Sequence, residues 1–164
     1  MIKAAILTLS DKGSRGERED RSGSVIREML SALPAEVIRY EVIPDELEII
    51  KERIIEFADI ALADLIITTG GTGVSPRDVT PEATKVVIDR ELPGMAEAMR
   101  AASIQKTPNA MLSRAVCGIR GRTLIVNLPG SPKAVRENLG TVLPVILHAV
   151  EKICGSDAEC GMNS

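Results

Sequence analysis

The chain has 164 residues, 45% of them hydrophobic and 26% charged, with a formal net charge of −3; this is length enough for one domain with a buried core, and the acidic balance excludes general nucleic-acid binding, which leaves a basic footprint. One Tyr, one Phe and no Trp give no aromatic platform for stacking bases, so the core must be aliphatic. The three cysteines, Cys117, Cys154 and Cys160, are odd in number and unevenly spaced, which is no disulfide framework; no apolar run reaches membrane-spanning length, Met1 to Leu9 is too short for a signal peptide, and the chain reads as cytoplasmic.

Ile2 to Leu9 is a short apolar run that reads as a buried strand. Ser10 to Arg21 follows as a solvated loop of mixed charge. Ser22 reads as the N-cap of a helix through Leu33, with Val25, Ile26, Met29, Leu30 and Leu33 at helical spacing. Glu36 to Ile43 reads as a second strand, broken by Pro44-Asp45-Glu46. Leu47, Ile50, Ile54, Phe57, Ala58 and Ala61 then form one apolar stripe of a long helix that packs on a sheet. Leu65 to Thr69 is a third strand. Ala83 to Ile88 is helical, with Pro81 in the first turn. A further helix carries Met95, Met99, Ala102 and Ser103 from Pro93-Gly94 to Pro108. Arg114 to Ile119 and Thr123 to Leu128 read as two strands across a turn at Gly121, an antiparallel edge pair. Pro129-Gly130-Ser131-Pro132-Lys133 is another strand-to-helix turn, with Ser131 able to cap and Pro132 suited to the first helical position. A final helix is expected over Thr141 to Ile153. The pattern predicts a three-layer α/β/α sandwich with a largely parallel sheet: one domain over residues 1–154 and a loose polar tail over 155–164.

The chemistry centres on Thr69-Gly70-Gly71-Thr72-Gly73 after the third strand. Glycines let backbone N–H groups approach an anion, and the threonines add hydroxyl donors. The spacing is neither a dinucleotide fingerprint nor a Walker loop, and a tight turn alone would choose the same residues. Asp78 lies in this loop and Asp45 just past the second strand. If the two strands run parallel, both carboxylates reach one sheet edge, where two hard oxygen donors suit Mg²⁺ shared with phosphates. Each acid also has a local reading: Asp45 as a helix cap and Asp78 as a turn residue. Arg100 and Arg114 are cations without an assigned task, and His148 reads as structural within the last helix.

Several segments, in order, resemble the molybdopterin-binding MogA/MoaB family, whose relatives include the G domain of gephyrin. They are Thr69 to Gly73, Arg77-Asp78-Val79-Thr80-Pro81, Asp89 to Gly94, Leu112-Ser113-Arg114 and Leu128 to Ala134, with Ser10-Asp11 and Gly16 to Gly23 resembling the family's N-terminal loop. The resemblance runs from about Ile2 to His148. It implies a three-layer α/β domain, usually a homotrimer, that adenylylates molybdopterin with Mg·ATP and releases pyrophosphate before a molybdate-insertion enzyme takes over. It further implies Asp45 and Asp78 as the essential pair and as Mg²⁺ ligands. Substrate contacts would come from Ser10, Asp20, Ser22, Thr69, Gly70, Gly71, Thr72, Gly73, Ser113, Arg114, Pro129, Gly130, Ser131 and Lys133. The MoaB branch commonly lacks the full set, whereas Pro44-Asp45-Glu46, Arg77-Asp78 and Pro132-Lys133 are present here, which favours the MogA activity. The alternatives are a non-catalytic carrier or scaffold of the MoaB type, and a general nucleotide-binding module.

Overall fold

The structure is a computed structural model that describes residues 1–155. Beyond Gly155 the expected tail, with Cys160, lies outside the described residues. Six strands form one sheet: β1 (Ile2–Leu9), β2 (Ala35–Ile43), β3 (Leu65–Thr69), β4 (Arg90–Glu91), β5 (Cys117–Arg120) and β6 (Thr123–Leu128). Their spatial order is β2-β1-β3-β6-β5-β4. β2, β1, β3 and β6 are parallel, while β5 runs antiparallel to β6 and β4 antiparallel to β5. The register sets Thr8 against Thr69 and Thr69 against Leu128. Three strands therefore end level, and the loops that follow them leave the sheet at one edge.

The parallel strands are apolar throughout because both faces are covered. Ala4, Ile6, Leu65, Ile67, Leu124 and Val126 pack under α2 (Arg21–Leu30), α5 (Pro93–Ile104) and α6 (Pro132–Ile153). Ala5, Leu7, Ile66 and Ile125 face α3 (Leu47–Ile55) and α4 (Thr80–Val87), where Phe57 is fully buried. Each such aliphatic side chain contributes roughly 1.5–3 kcal/mol on burial. Strand periodicity thus builds the three layers directly, as expected.

Local details differ from the expectations. The Ser10 to Arg21 loop contains a short helix, α1 (Asp11–Ser14), capped by Ser10, whose hydroxyl accepts from Gly13 N–H at 2.9 Å. Asp20, not Ser22, caps α2 by accepting from Gly23 N–H, and the helix stops at Leu30. α3 gives way to a π-helical turn over Glu56–Ile60, which swings Phe57 into the core. The antiparallel pair is β5 and β6, but β5 starts at Cys117 and the edge itself is the two-residue β4. The expected last helix is the second half of a continuous α6. Val135, Leu139, Val142, Ile146 and Val150 are its buried stripe. Pro144 sits inside the helix on its exposed face.

Candidate active site

In a parallel sheet of this order the crevice for a ligand opens where the chain leaves neighbouring strands in opposite directions, here between β1 and β3. A cavity of about 750 Å³ occupies that place. Its walls are Thr8 to Gly13, Arg18 to Ser22, Val42, Asp45, Thr69 to Gly71, Asp78 and Gly130 to Pro132. A second cavity of about 420 Å³ adjoins it, between the glycine loop, α5, the 3₁₀ turn at Pro108–Leu112 and α6. The two share Gly71, Asp78 and Gly130.

The glycine loop is built for close approach. Gly70 and Gly71 have φ of +97° and +66°, conformations that disfavour a Cβ. A Cβ on Gly70 would also strike the Leu9 carbonyl, and one on Gly71 would strike Thr80 Oγ1 and come within 3.0 Å of Asp45 Oδ1. A Cβ on Gly73 would lie 2.8 Å from Asp78 Oδ2. The loop therefore lies close against both carboxylates, Gly71 by Asp45 and Gly73 by Asp78. Thr80 holds it from behind, donating from its hydroxyl to Gly70 O at 2.9 Å and from its N–H to Gly71 O at 3.2 Å. Arg114 clasps both ends, donating to Gly73 O at 2.7 Å and Asp78 O at 2.7 Å, and pairs with Glu82. Beneath lies a buried neutral network: Asn127 donates to Thr68 at 2.9 Å and Thr84 at 3.0 Å and accepts from Val116 N–H.

The acids reach the cleft by different routes. Asp78 closes a turn by accepting from Ser75 N–H at 2.9 Å, so it is a turn residue and a cavity wall at once. Asp45 is not the cap of α3, a position taken by Glu46 without a side-chain bond. Its Oδ2 accepts from Asp11 N–H at 3.2 Å, which leaves Oδ1 toward Gly71. Burial holds the Asp45 carboxyl above the ordinary carboxylate range, and the neighbouring Asp11 and Asp78 charges push the same way. Asp11 is held below that range, chiefly by its hydrogen bonds from Arg77.

The other sequence-derived candidates divide clearly. Ser10, Asp20, Ser22, Thr69, Gly130 and Ser131 line the first cavity, and Thr72, Gly73, Ser113 and Pro129 the second. Several are already engaged. Asp20 accepts from Thr8 at 2.7 Å, from Gly23 N–H and from the Tyr40 hydroxyl. Ser22 and Thr69 donate to Gly130 O and Pro129 O, tying α2 and β3 to the turn before α6. Ser131 caps α6 through Ala134 N–H at 3.2 Å. Arg114 stands behind the loop and Lys133 lines neither cavity. His148 lies on the exposed face of α6, away from both. Sequence reasoning missed Asp11, Thr80, Thr84 and Asn127. Asp11 and Asn127 find their partners far away in the chain, which no local pattern signals.

The family described as "Probable molybdopterin binding domain" matches residues 5–148. The chain belongs to this family. A molybdopterin adenylyltransferase of Helicobacter pylori is 46% identical over 158 residues, 94% of this chain and 89% of the relative. A gephyrin of Dictyostelium discoideum is 46% identical over 88% of this chain, which spans 21% of that longer protein. The crystal structure of a molybdopterin biosynthesis enzyme MoaB from Thermus thermophilus superposes with a TM-score of 0.90 at 55% identity, covering 94% of this chain and 98% of that one. In this member of the molybdopterin-binding family, the glycine loop and both acids fall inside the matched segment. No helix among the described residues is long and apolar enough to cross a membrane.

Proposed function

We propose that the chain is a molybdopterin adenylyltransferase of molybdenum cofactor biosynthesis, joining the adenylyl group of ATP to the terminal phosphate of molybdopterin and releasing pyrophosphate. The observation that carries this reading is the glycine loop lying against both Asp45 and Asp78 and lining two adjoining cavities. Relatives named for this activity, 46% and 39% identical over more than nine-tenths of the chain, support it.

The reaction makes modest demands on proton transfer. The phosphate oxygen of molybdopterin is already ionised; it bonds to the α-phosphorus as the bond to the bridging oxygen breaks, and pyrophosphate leaves with the electron pair. The site must align two polyanions and offset their charge. The backbone N–H groups of Gly70 to Gly73 and the N-termini of α2 and α6 suit that task. Lys12, Arg18 and Arg21 supply cations among the residues of the first cavity. The donor set fits Mg²⁺: the two carboxylates supply hard oxygens, and substrate phosphates would complete the shell. Asp45 and Asp78 would hold that ion, which supplies charge neutralisation on the phosphates.

We further place the protein in the cytoplasm as a homotrimer that passes its product to a molybdate-insertion enzyme. Exposed Ile60, Leu62 and Val86 around the α3–α4 layer support self-association. The deciding experiment is incubation with molybdopterin and Mg·ATP, with pyrophosphate and adenylylated molybdopterin as expected products. Molybdopterin binding without product would make the protein a carrier, and ATP binding without molybdopterin binding a nucleotide module.

A further inference from the structure

Asp45 needs an external restraint. It sits in a tight turn whose backbone is closed by Glu46 N–H donating to Pro44 O at 2.9 Å, but the α3 cap beside it has no side-chain hydrogen bond, and that local turn does not hold the Asp45 carboxylate. The restraint comes from another strand end. Asp45 N–H donates to Asp11 Oδ1 at 3.0 Å, while Asp11 N–H donates to Asp45 Oδ2 at 3.2 Å. This reciprocal pair fixes both the backbone and one carboxylate oxygen of Asp45, and leaves Oδ1 toward Gly71. Asp11 is in turn held in a fork by Arg77, through Nε to Oδ2 at 3.0 Å and Nη2 to Oδ1 at 2.8 Å. One acid thereby joins the loops after β1, β2 and β3.

We propose that Asp11 is a positioning residue for Asp45, braced by Arg77. Its carboxylate accepts one backbone N–H and two guanidinium N–H groups, so although the residue lines the first cavity its oxygens are engaged by the protein. A bidentate guanidinium pair is directional as well as attractive, which is what holding a neighbouring acid requires. The catalytic side of this proposal rests on the adenylyl-transfer reading; the placement of Asp45 does not.

The test compares Asp11→Ala, Asp11→Asn and Arg77→Ala with the unaltered protein, with melting temperatures measured to check folding. Amide hydrogen exchange at Asp45 reports the placement. Asp11→Ala is expected to speed it by about tenfold or more. The same variant should lower kcat about 10²-fold, the scale of loss from an ångström-sized displacement, with KM for both substrates within about twofold. Asp11→Asn keeps an oxygen for the Asp45 N–H and should recover most of both losses. Arg77→Ala should fall between. Unchanged Asp45 exchange in Asp11→Ala overturns the proposal. So does an Asp11→Asn variant as impaired as Asp11→Ala, which would make the Asp11 charge itself the working group. If the unaltered protein makes no product, the adenylyl-transfer reading fails, and the exchange measurement still decides whether Asp11 places Asp45.

Discussion

On the β3 side of the cleft the glycines at the start of the loop rest on neutral groups that water does not reach, with Arg114 holding the loop further on, whereas on the β1–β2 side Asp45 is placed by charged groups near the surface. Thr68, Thr80, Thr84 and Asn127 are all fully buried, and each hydroxyl or amide among them has a partner. Asp11 and Arg77 are substantially exposed, at 29% and 58% for the side chains. A buried neutral network is stiff and indifferent to salt, but costly to break. An exposed ion pair contributes little to stability, so its value must lie in direction. The cleft thus combines a wall fixed by the fold with a wall fixed by charge.

Three substitutions test that contrast. The largest effect is expected where both walls meet. Asp78→Ala should lower turnover by about 10²-fold or more, the scale of losing one group that stabilises transition-state charge. Molybdopterin should still bind, as read by titration of its absorbance. Normal turnover would remove Asp78 from the chemistry. Next, Asn127→Ala strips three hydrogen bonds from the buried wall and is expected to cost about 2–4 kcal/mol. Thermal unfolding should show a Tm lower by roughly 5–15 °C, equally at low and high salt. A salt-dependent loss would contradict a neutral support.

The smallest effect runs in the opposite direction. Burial raises the Asp45 carboxyl above its ordinary value of 3.8. A carboxyl raised by folding favours the folded state below its unfolded value, and that contribution is lost as pH rises through the folded value. At neutral pH without divalent cations, ionised Asp45 is therefore a cost to folding. Asp45→Asn should raise Tm at pH 7, and the gain should vanish as pH falls below the unfolded carboxylate value of about 3.9. A gain of equal size at both pH values would show that it does not come from ionisation. The same variant should lose turnover, so the acid trades stability for activity.

The layers were legible because parallel strands buried on both faces must be apolar runs, and Ile2 to Leu9, Leu65 to Thr69 and Thr123 to Leu128 are such runs. Asp45 and Asp78 converged for the same reason, since parallel strands deliver their following loops to one edge. Elements whose stability is tertiary were not legible. β4 has two residues and exists by pairing with β5. The first half of α6 was not read from the sequence, although Ser131 and Pro132 were read as a helix start, and the helix runs unbroken from there with Gly140 and Pro144 on its solvent face. Asp20 rather than Ser22 caps α2 because Ser22 reaches across to Gly130, a partner 108 residues away. Asp11 looked like one charge among many until folding set it against Asp45.

Gly71, Asp78 and Gly130 belong to both cavities. For the proposed reaction, shared lining means that donor and acceptor can meet directly where the two cavities adjoin, with no need for a relay through the protein. One displacement at a tetrahedral phosphorus inverts its handedness, and two would restore it. An ATP analogue made chiral at the α-phosphorus by sulfur should therefore give adenylylated molybdopterin of inverted configuration, a stereochemical record of the wall the two cavities share.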